Sequence, residues 1–431
     1  MSTEEMRFDR KRGLFLGASA MAVLASVSAA PAIAQDDVQN QSVLERDRPE
    51  YEGDGVRVGS FIVRPELNTS VSYNDNILAD DTNTISDGVF VLRPEVLVRL
   101  DRPTIDLRLR GGVELERFAD NSSENSDSYF TTLRGTVGRG RSTQAQFRVS
   151  YRKDNESRRA LDSANSVSSR LGRDSLEGFA EIRQDLGALD ALISGRVRKI
   201  SYGSARDGLG NLIDFSFRDR TIYQATAGAE YAVTANDLII ARATYDKQEL
   251  DVGPGDPGYD PTRFDQSSDG FRLEAGYGRQ VSELMYLRVF VGYLEQDFDD
   301  TRVQDISGLS LNSDLFWNVT PLTSVRVAAS RSIDEVVSPD LAGNLRTQVS
   351  AQVDHELKRN FIVSGSARYA DISPRGIGAS LDEFEASLTG RLLVNRLITV
   401  EGGYSHFQRN SSVVNQGFDE NVFFVGLRLR I

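Results

Sequence analysis

Residues 104–118 read TIDLRLRGGVELERF. Ile105, Leu107, Leu109, Gly111, Val113 and Leu115 share one parity, and Asp106, Arg108, Arg110, Gly112, Glu114 and Glu116 share the other. On a helix, face-sharing positions recur every three or four residues, so these charges would be scattered around the whole cylinder. On a strand, every charge falls on one face and every apolar group on the other. Period two held over this length predicts a strand lying between an apolar medium and water.

The same pattern recurs on both sides of this stretch. It is clear at Leu133-Gly135-Val137, Ala145-Phe147-Val149-Tyr151, Phe271-Leu273-Ala275-Tyr277 and Met285-Leu287-Val289-Val291-Tyr293. Val325-Val327-Ala329, Phe361-Val363-Gly365-Ala367-Tyr369 and Phe423-Val425-Leu427-Leu429-Ile431 continue it. The connectors alternate in length. Short breaks such as 138–142, 185–190, 234–237 and 320–323 interleave with long polar ones such as 119–128, 153–173, 203–219 and 249–268. Alternating short turns and long loops predict an all-β chain, a transmembrane antiparallel up-and-down barrel of about 18 strands. In lipid the backbone polar groups must pair internally, so strands can span only as a closed sheet. The segments near 191–202, 306–319 and 344–357 alternate least cleanly.

The charged parity carries Arg93, Glu95, Arg99, Arg108, Arg110, Glu114, Arg272, Glu274, Arg288, Arg326, Arg368, Arg391, Arg428 and Arg430. Unpaired charge in a dry core costs several kcal/mol per ion, so these residues are expected to line a wet lumen. Aromatics gather where strands run into long loops: Tyr73, Phe118, Tyr151, Tyr202, Tyr245, Tyr293, Tyr369 and Tyr404. Amphipathic rings are most stable at a membrane–water boundary, so these residues predict an aromatic girdle.

The N-terminus has its own signature. Arg7, Arg10, Lys11 and Arg12 precede an apolar run from Leu14 to Val27 and the small-x-small triplet Ala32-Ile33-Ala34. This predicts a cleaved signal peptide over 1–34, export to the periplasm and a mature chain starting at Gln35. Residues 35–57 are acidic and unpatterned and are expected to form a flexible periplasmic segment, with the barrel occupying 58–431.

Chemistry is sparse. Cys is absent, which excludes disulfides and thiolate metal sites, and the net charge of −13 argues against nucleic acid as a partner. The two histidines, His355 and His406, lie in different strands. The acidic groups Asp297-Asp299-Asp300 and Asp251, Asp256 and Asp260 lack the spacing of a calcium loop and read as solvated loop charge. No enzyme, cofactor or metal is expected.

The opening RPELNTSVSYNDNI, the return VFVLRPEVLVRL and the repeated Arg-Pro-Glu at 64–66 and 93–95 resemble the putative beta-barrel porin 2 family, over roughly Phe61 to Ile431. That resemblance implies association with exopolysaccharide export in a Gram-negative bacterium. It also implies a conduit for a secreted polysaccharide, working with a periplasmic export protein. Gly426, Leu429 and Ile431 resemble the C-terminal signal read by the barrel-insertion machinery. Phe424 departs from its usual polar residue, and the usual terminal aromatic is missing. Outer-membrane lipid and that machinery are the expected general partners. A diffusion porin for small solutes and a structural or adhesive barrel with a closed lumen remain as alternatives.

Overall fold

The computed structural model describes residues 41–161, 167–207, 209–334, 341–376, 379–413 and 416–431. The predicted signal peptide lies outside them. Eighteen strands follow one another around a single ring. The first nine are β1 Phe61–Asn74, β2 Asp87–Arg102, β3 Ile105–Phe118, β4 Ser126–Val137, β5 Thr143–Asn155, β6 Gly172–Asp185, β7 Leu189–Tyr202, β8 Arg220–Ala232 and β9 Asp237–Leu250. The rest are β10 Ser268–Ser282, β11 Met285–Phe298, β12 Ile306–Thr320, β13 Thr323–Asp334, β14 Leu341–Lys358, β15 Phe361–Gly376, β16 Leu381–Leu393, β17 Ile398–Ser411 and β18 Phe418–Arg430.

Each strand pairs antiparallel with the next, and β18 returns to β1 in the register Glu66↔Arg430 through Asn74↔Val422. Closure leaves the ring without an unpaired edge, which is the condition for a sheet to stand in lipid. The three segments with imperfect alternation are all strands. Their ladder bonds come from neighbours on both sides, so the ring holds them where their own pattern is weak.

The two faces of the ring differ as the period predicts. Leu109, Leu133, Val149, Leu176, Ile193, Val197, Ile239, Leu273, Val291, Leu309, Val353 and Val425 are exposed on the outside. The inner parity carries the arginines, the carboxylates and a set of half-buried to buried rings.

Part of the acidic lead-in departs from the expected flexible tail. Among its described residues, Val43 is fully buried and its amide donates to Ser324 Oγ at 2.9 Å. The Arg48 guanidinium is buried and binds Glu356 at 2.6 Å and the Val43 carbonyl at 2.8 Å. Arg46 donates to the Pro321 carbonyl and Asn318, and Glu50 meets Arg359 at 2.8 Å. All these partners sit at short turns, so the segment is docked at that mouth of the ring. Composition hid this, because a polar segment with few apolar residues still orders when each buried charge finds a partner.

Candidate functional site: the lumen wall and its loop

Strand parity places all fourteen sequence-selected charges on the inner face. They form a lattice along the wall. Arg110 meets Glu95 at 2.8 Å, and Arg93 lies 3.3 Å from Glu114. Asp106 takes both Arg99 at 3.2 Å and Arg108 at 2.9 Å. Further round the ring, Arg242 meets Glu274 at 2.6 Å, with Ser310 Oγ donating to the same carboxylate at 2.8 Å. Arg368 pairs with Glu385 at 2.8 Å, and Arg391 pairs closely with Glu401. Glu66 binds Arg428 at 3.1 Å and Arg430 at 2.9 Å across the closing seam. Arg288 donates to the Tyr286 hydroxyl, and Arg326 lies over the Phe316 ring at 5.5 Å. Arg272 faces Thr244 and Leu294 across its two neighbouring strands.

Most of these side chains therefore do not stand free in open water, as the sequence suggested. Arg99, Arg368 and Arg428 are buried, each beside a carboxylate that offsets its desolvation. Guanidinium groups also stack on inward rings. Arg93 and Arg110 lie 4.6 and 5.6 Å from the centre of Phe130, and Arg242 lies 4.4 Å from Phe290.

Glycine makes room for two of those rings. Phe130 lies opposite Gly112 and Phe290 opposite Gly276. A Cβ on Gly112 would fall 2.7 Å from the Phe130 ring, and one on Gly276 would fall 2.5 Å from Phe290. Each ring thus lies flat along the wall. Valine at Gly276 is expected to push Phe290 and the Arg242 stacked on it into the lumen. Stability should fall by about 1–3 kcal/mol, as for overpacking in general. The unfolding midpoint in urea would register the loss, and a smaller single-channel conductance would register the intrusion.

The aromatic set divides. Tyr73, Tyr151, Tyr245, Tyr293 and Tyr369 are exposed on the outer face near the long-loop end, joined by Tyr404 on the same parity. Several hydroxyls are anchored: Tyr151 donates to Asp174 at 2.7 Å, Tyr369 to Asp382 at 2.5 Å and Tyr404 to Asn421 at 2.6 Å. Two of the set must be corrected. Tyr202 is buried on the inner face, with the Arg218 guanidinium 4.2 Å from its ring centre. Phe118 pairs with Val89, a buried inner position, and shares the parity of Glu116. Both close their strands at the lumen, where position along the chain says nothing about face. Gly426 lies on the inner parity between Glu401 and Ser70, while Leu429 and Ile431 are exposed.

The two histidines do not meet. The His406 ring nitrogen lies 2.9 Å from Asn421 on the outer face, and His355 lies 2.9 Å from Thr323 Oγ1 beside a short turn. Among the described residues no group of three or more His, Asp or Glu side chains is placed to hold a metal ion.

A loop contact that sequence alone did not reveal completes the site. Between β5 and β6 the chain turns inward, and Arg159 reaches β16–β18, five to seven strands away round the ring. Its guanidinium meets Glu420 at 2.5 Å and Glu385 at 3.5 Å and lies 4.5 Å over the Phe407 ring. Arg409 donates to the Arg159 carbonyl and also binds Glu383 at 2.6 Å. Nearer its own strands, Arg158 binds Glu124 at 2.7 Å, and Glu156 binds Arg218 at 2.7 Å. The loop is thus tied across a chord of the mouth.

A family model described as putative beta-barrel porin 2 matches residues 48–431. The chain belongs to that family. This porin is therefore an outer-membrane barrel, with its short turns toward the periplasm and its long loops outside. It is similar in structure to the outer membrane protein opdK from Pseudomonas aeruginosa, at 11% identity and TM-score 0.45, covering 86% of this chain and 99% of that one. It is also similar to the siderophore receptor PirA from Acinetobacter baumannii, at 7% identity and TM-score 0.47, covering 86% and 80%. OpdQ of Pseudomonas aeruginosa gives 11% identity and TM-score 0.44, covering 89% and 100%. No curated protein matches the sequence.

Proposed function

We propose that this porin is a passive outer-membrane pore for small hydrophilic solutes, reached by way of the periplasm after removal of residues 1–34. The observation that carries this reading is the loop held across the lumen by Arg159, Glu420 and Glu385. A tethered chord leaves room for ions and small molecules and obstructs a polymer. The charged, hydroxyl-rich wall offers weak and replaceable hydrogen bonds, which favour entry without trapping. No residue has a catalytic role in this reading.

Export of a polysaccharide with a periplasmic export protein, implied by the family resemblance, is the second reading. It has family membership on its side, and it requires the loop and the docked lead-in to move aside. The adhesive or closed barrel, a third reading, predicts no permeation at all.

The test is swelling of liposomes containing the purified protein in sugars of increasing size, beside a clean deletion strain assayed for secreted polysaccharide. Entry of mono- and disaccharides with normal secretion in the deletion strain is the expected result. Impermeable liposomes together with polysaccharide retained in the periplasm of the deletion strain would overturn the pore in favour of the conduit.

A further inference from the structure

At five places round the ring, an inner arginine faces a carboxylate on the neighbouring strand. Arg242 faces Glu274, Arg288 faces Asp314, Arg368 faces Glu385, Arg391 faces Glu401 and Arg430 faces Glu66. On one wall, arginines face arginines instead. Following the ladder from β2 to β5, Arg99 faces Arg108, Arg108 faces Arg134, and Arg134 faces Arg148. The row then passes through Phe179 on β6 to Arg196 on β7. Five arginines and one ring thus occupy a single hydrogen-bonded row over six strands.

Like charges directly opposite each other destabilise a sheet. Carboxylates stand beside the row: Asp106 binds both Arg99 and Arg108, and Glu177 stands 3.9 Å from Arg148. The row beside it on the same wall brings Arg64, Arg110 and Arg198 with Glu177 as its carboxylate. Further along the wall, Glu95 is taken by Arg110 and Arg93, and Glu181 stands 4.0 Å from Arg183.

Part of the row is open to a solute: Arg108 is 27% and Arg148 31% exposed and Arg134 is exposed, while Arg99 at its end is withdrawn beside Asp106. Phe179 lies between two guanidinium groups, 5.7 Å from Arg148 and 5.7 Å from Arg196.

We infer that this row, Arg99-Arg108-Arg134-Arg148-Arg196 with Phe179, is a binding path for small carboxylate anions along one wall of the lumen. The inference rests on the pore reading and names its substrate class. A guanidinium fork matches a carboxylate in two parallel hydrogen bonds, so an anion can pass from one fork to the next without losing its partner. Phe179 supplies an apolar surface for the rest of the solute.

The experiment uses the full-length mature protein in planar bilayers under a potassium chloride gradient, then with acetate and benzoate replacing chloride. The variants are the triple substitution Arg134→Gln, Arg148→Gln, Arg196→Gln and the matching triple Lys substitution, each checked for folding by heat-modifiable electrophoresis. The wild type should reverse on the anion side, the Gln variant should lose several-fold in anion-over-cation permeability, and the Lys variant should recover much of it. An unselective or cation-selective wild type, or a Gln variant that keeps its selectivity, would overturn the anion path while leaving the pore intact. If the wild type conducts nothing, the pore reading fails. Calorimetric binding of benzoate in detergent then decides the row by itself: binding lost only in the Gln variant supports it, and no binding to the wild type overturns it.

Discussion

Alanine at Arg159 is expected to raise the single-channel conductance and to replace a steady level with a fluctuating one. The Arg159 guanidinium is the point at which the β5–β6 loop is fastened to the far side of the lumen. It is nearly fully buried between Glu420, Glu385 and the Phe407 ring. Removing one partner of a buried ion pair costs about 3–5 kcal/mol, because the remaining charge stays desolvated without its counter-ion. Here the loop has a way out that a core residue lacks. It can lift away and let water reach Glu420. The cost therefore falls on the docked state of the loop rather than on the barrel, whose ladder does not involve Arg159.

At roughly 1.4 kcal/mol per factor of ten, even the lower figure moves the docked-to-lifted ratio by about a hundredfold. The barrel should keep its heat-modifiable mobility and its far-UV spectrum while the conductance changes. Lysine at 159 should restore part of the wild-type behaviour, since it keeps one charge on Glu420 but loses the stacking on Phe407. Glutamine at Glu420 should act in the same direction, less strongly, because Asn74 also holds that carboxyl, at 2.7 Å. A conductance unchanged in Arg159→Ala would mean that the loop does not narrow the path.

The ring itself was legible because lipid and water impose period two on every strand. TIDLRLRGGVELERF needs no neighbour to declare its two faces, and eighteen such segments separated by unequal breaks leave few other topologies. The fourteen charges assigned inward follow from the same parity. What parity could not supply was the partner of each charge. Arg110 finds Glu95 and Arg391 finds Glu401 only through the strand register, which the alternation leaves open. The arginine row was hidden for the same reason. Arg134, Arg148 and Arg196 look unremarkable in three separate segments, and only the ladder brings them level.

Tyr202 and Phe118 misled because an aromatic at a strand end suits a girdle and a lumen mouth equally well. The loop tether was beyond reach from sequence. Arg159 and Glu420 stand 261 residues apart, in stretches without periodicity, and nothing local distinguishes Arg159 from Arg158 beside it. The docked lead-in has the same character, with Arg48 and Glu356 separated by 308 positions.

Arginine at Leu109 tests the lipid-facing side directly. Leu109 is the fifth of the fourteen residues of β3, 45% exposed on the outer face, opposite Leu133 on β4 and Val98 on β2. A soluble protein would accept arginine at so exposed a position at almost no cost, since surface substitutions lie within about 0.5 kcal/mol. In a bilayer the same change places a guanidinium in hydrocarbon, at about 2–4 kcal/mol near the midplane of a barrel. The neighbouring residue, Arg110, already carries that group on the inner face and binds Glu95. One residue along the chain thus separates a charge that belongs from one that does not. Reversible urea unfolding in phosphatidylcholine vesicles should show the full loss for Leu109→Arg. Leu109→Ala should lose only the smaller contribution of its apolar area. Arginine at Val58, exposed in the short strand Val56–Val58 that pairs with the first residues of β1, should cost much less, because it lies at the short-turn end of the strands, away from the bilayer midplane. Equal losses at Leu109 and Val58 would mean that the apolar belt is not the surface in contact with lipid.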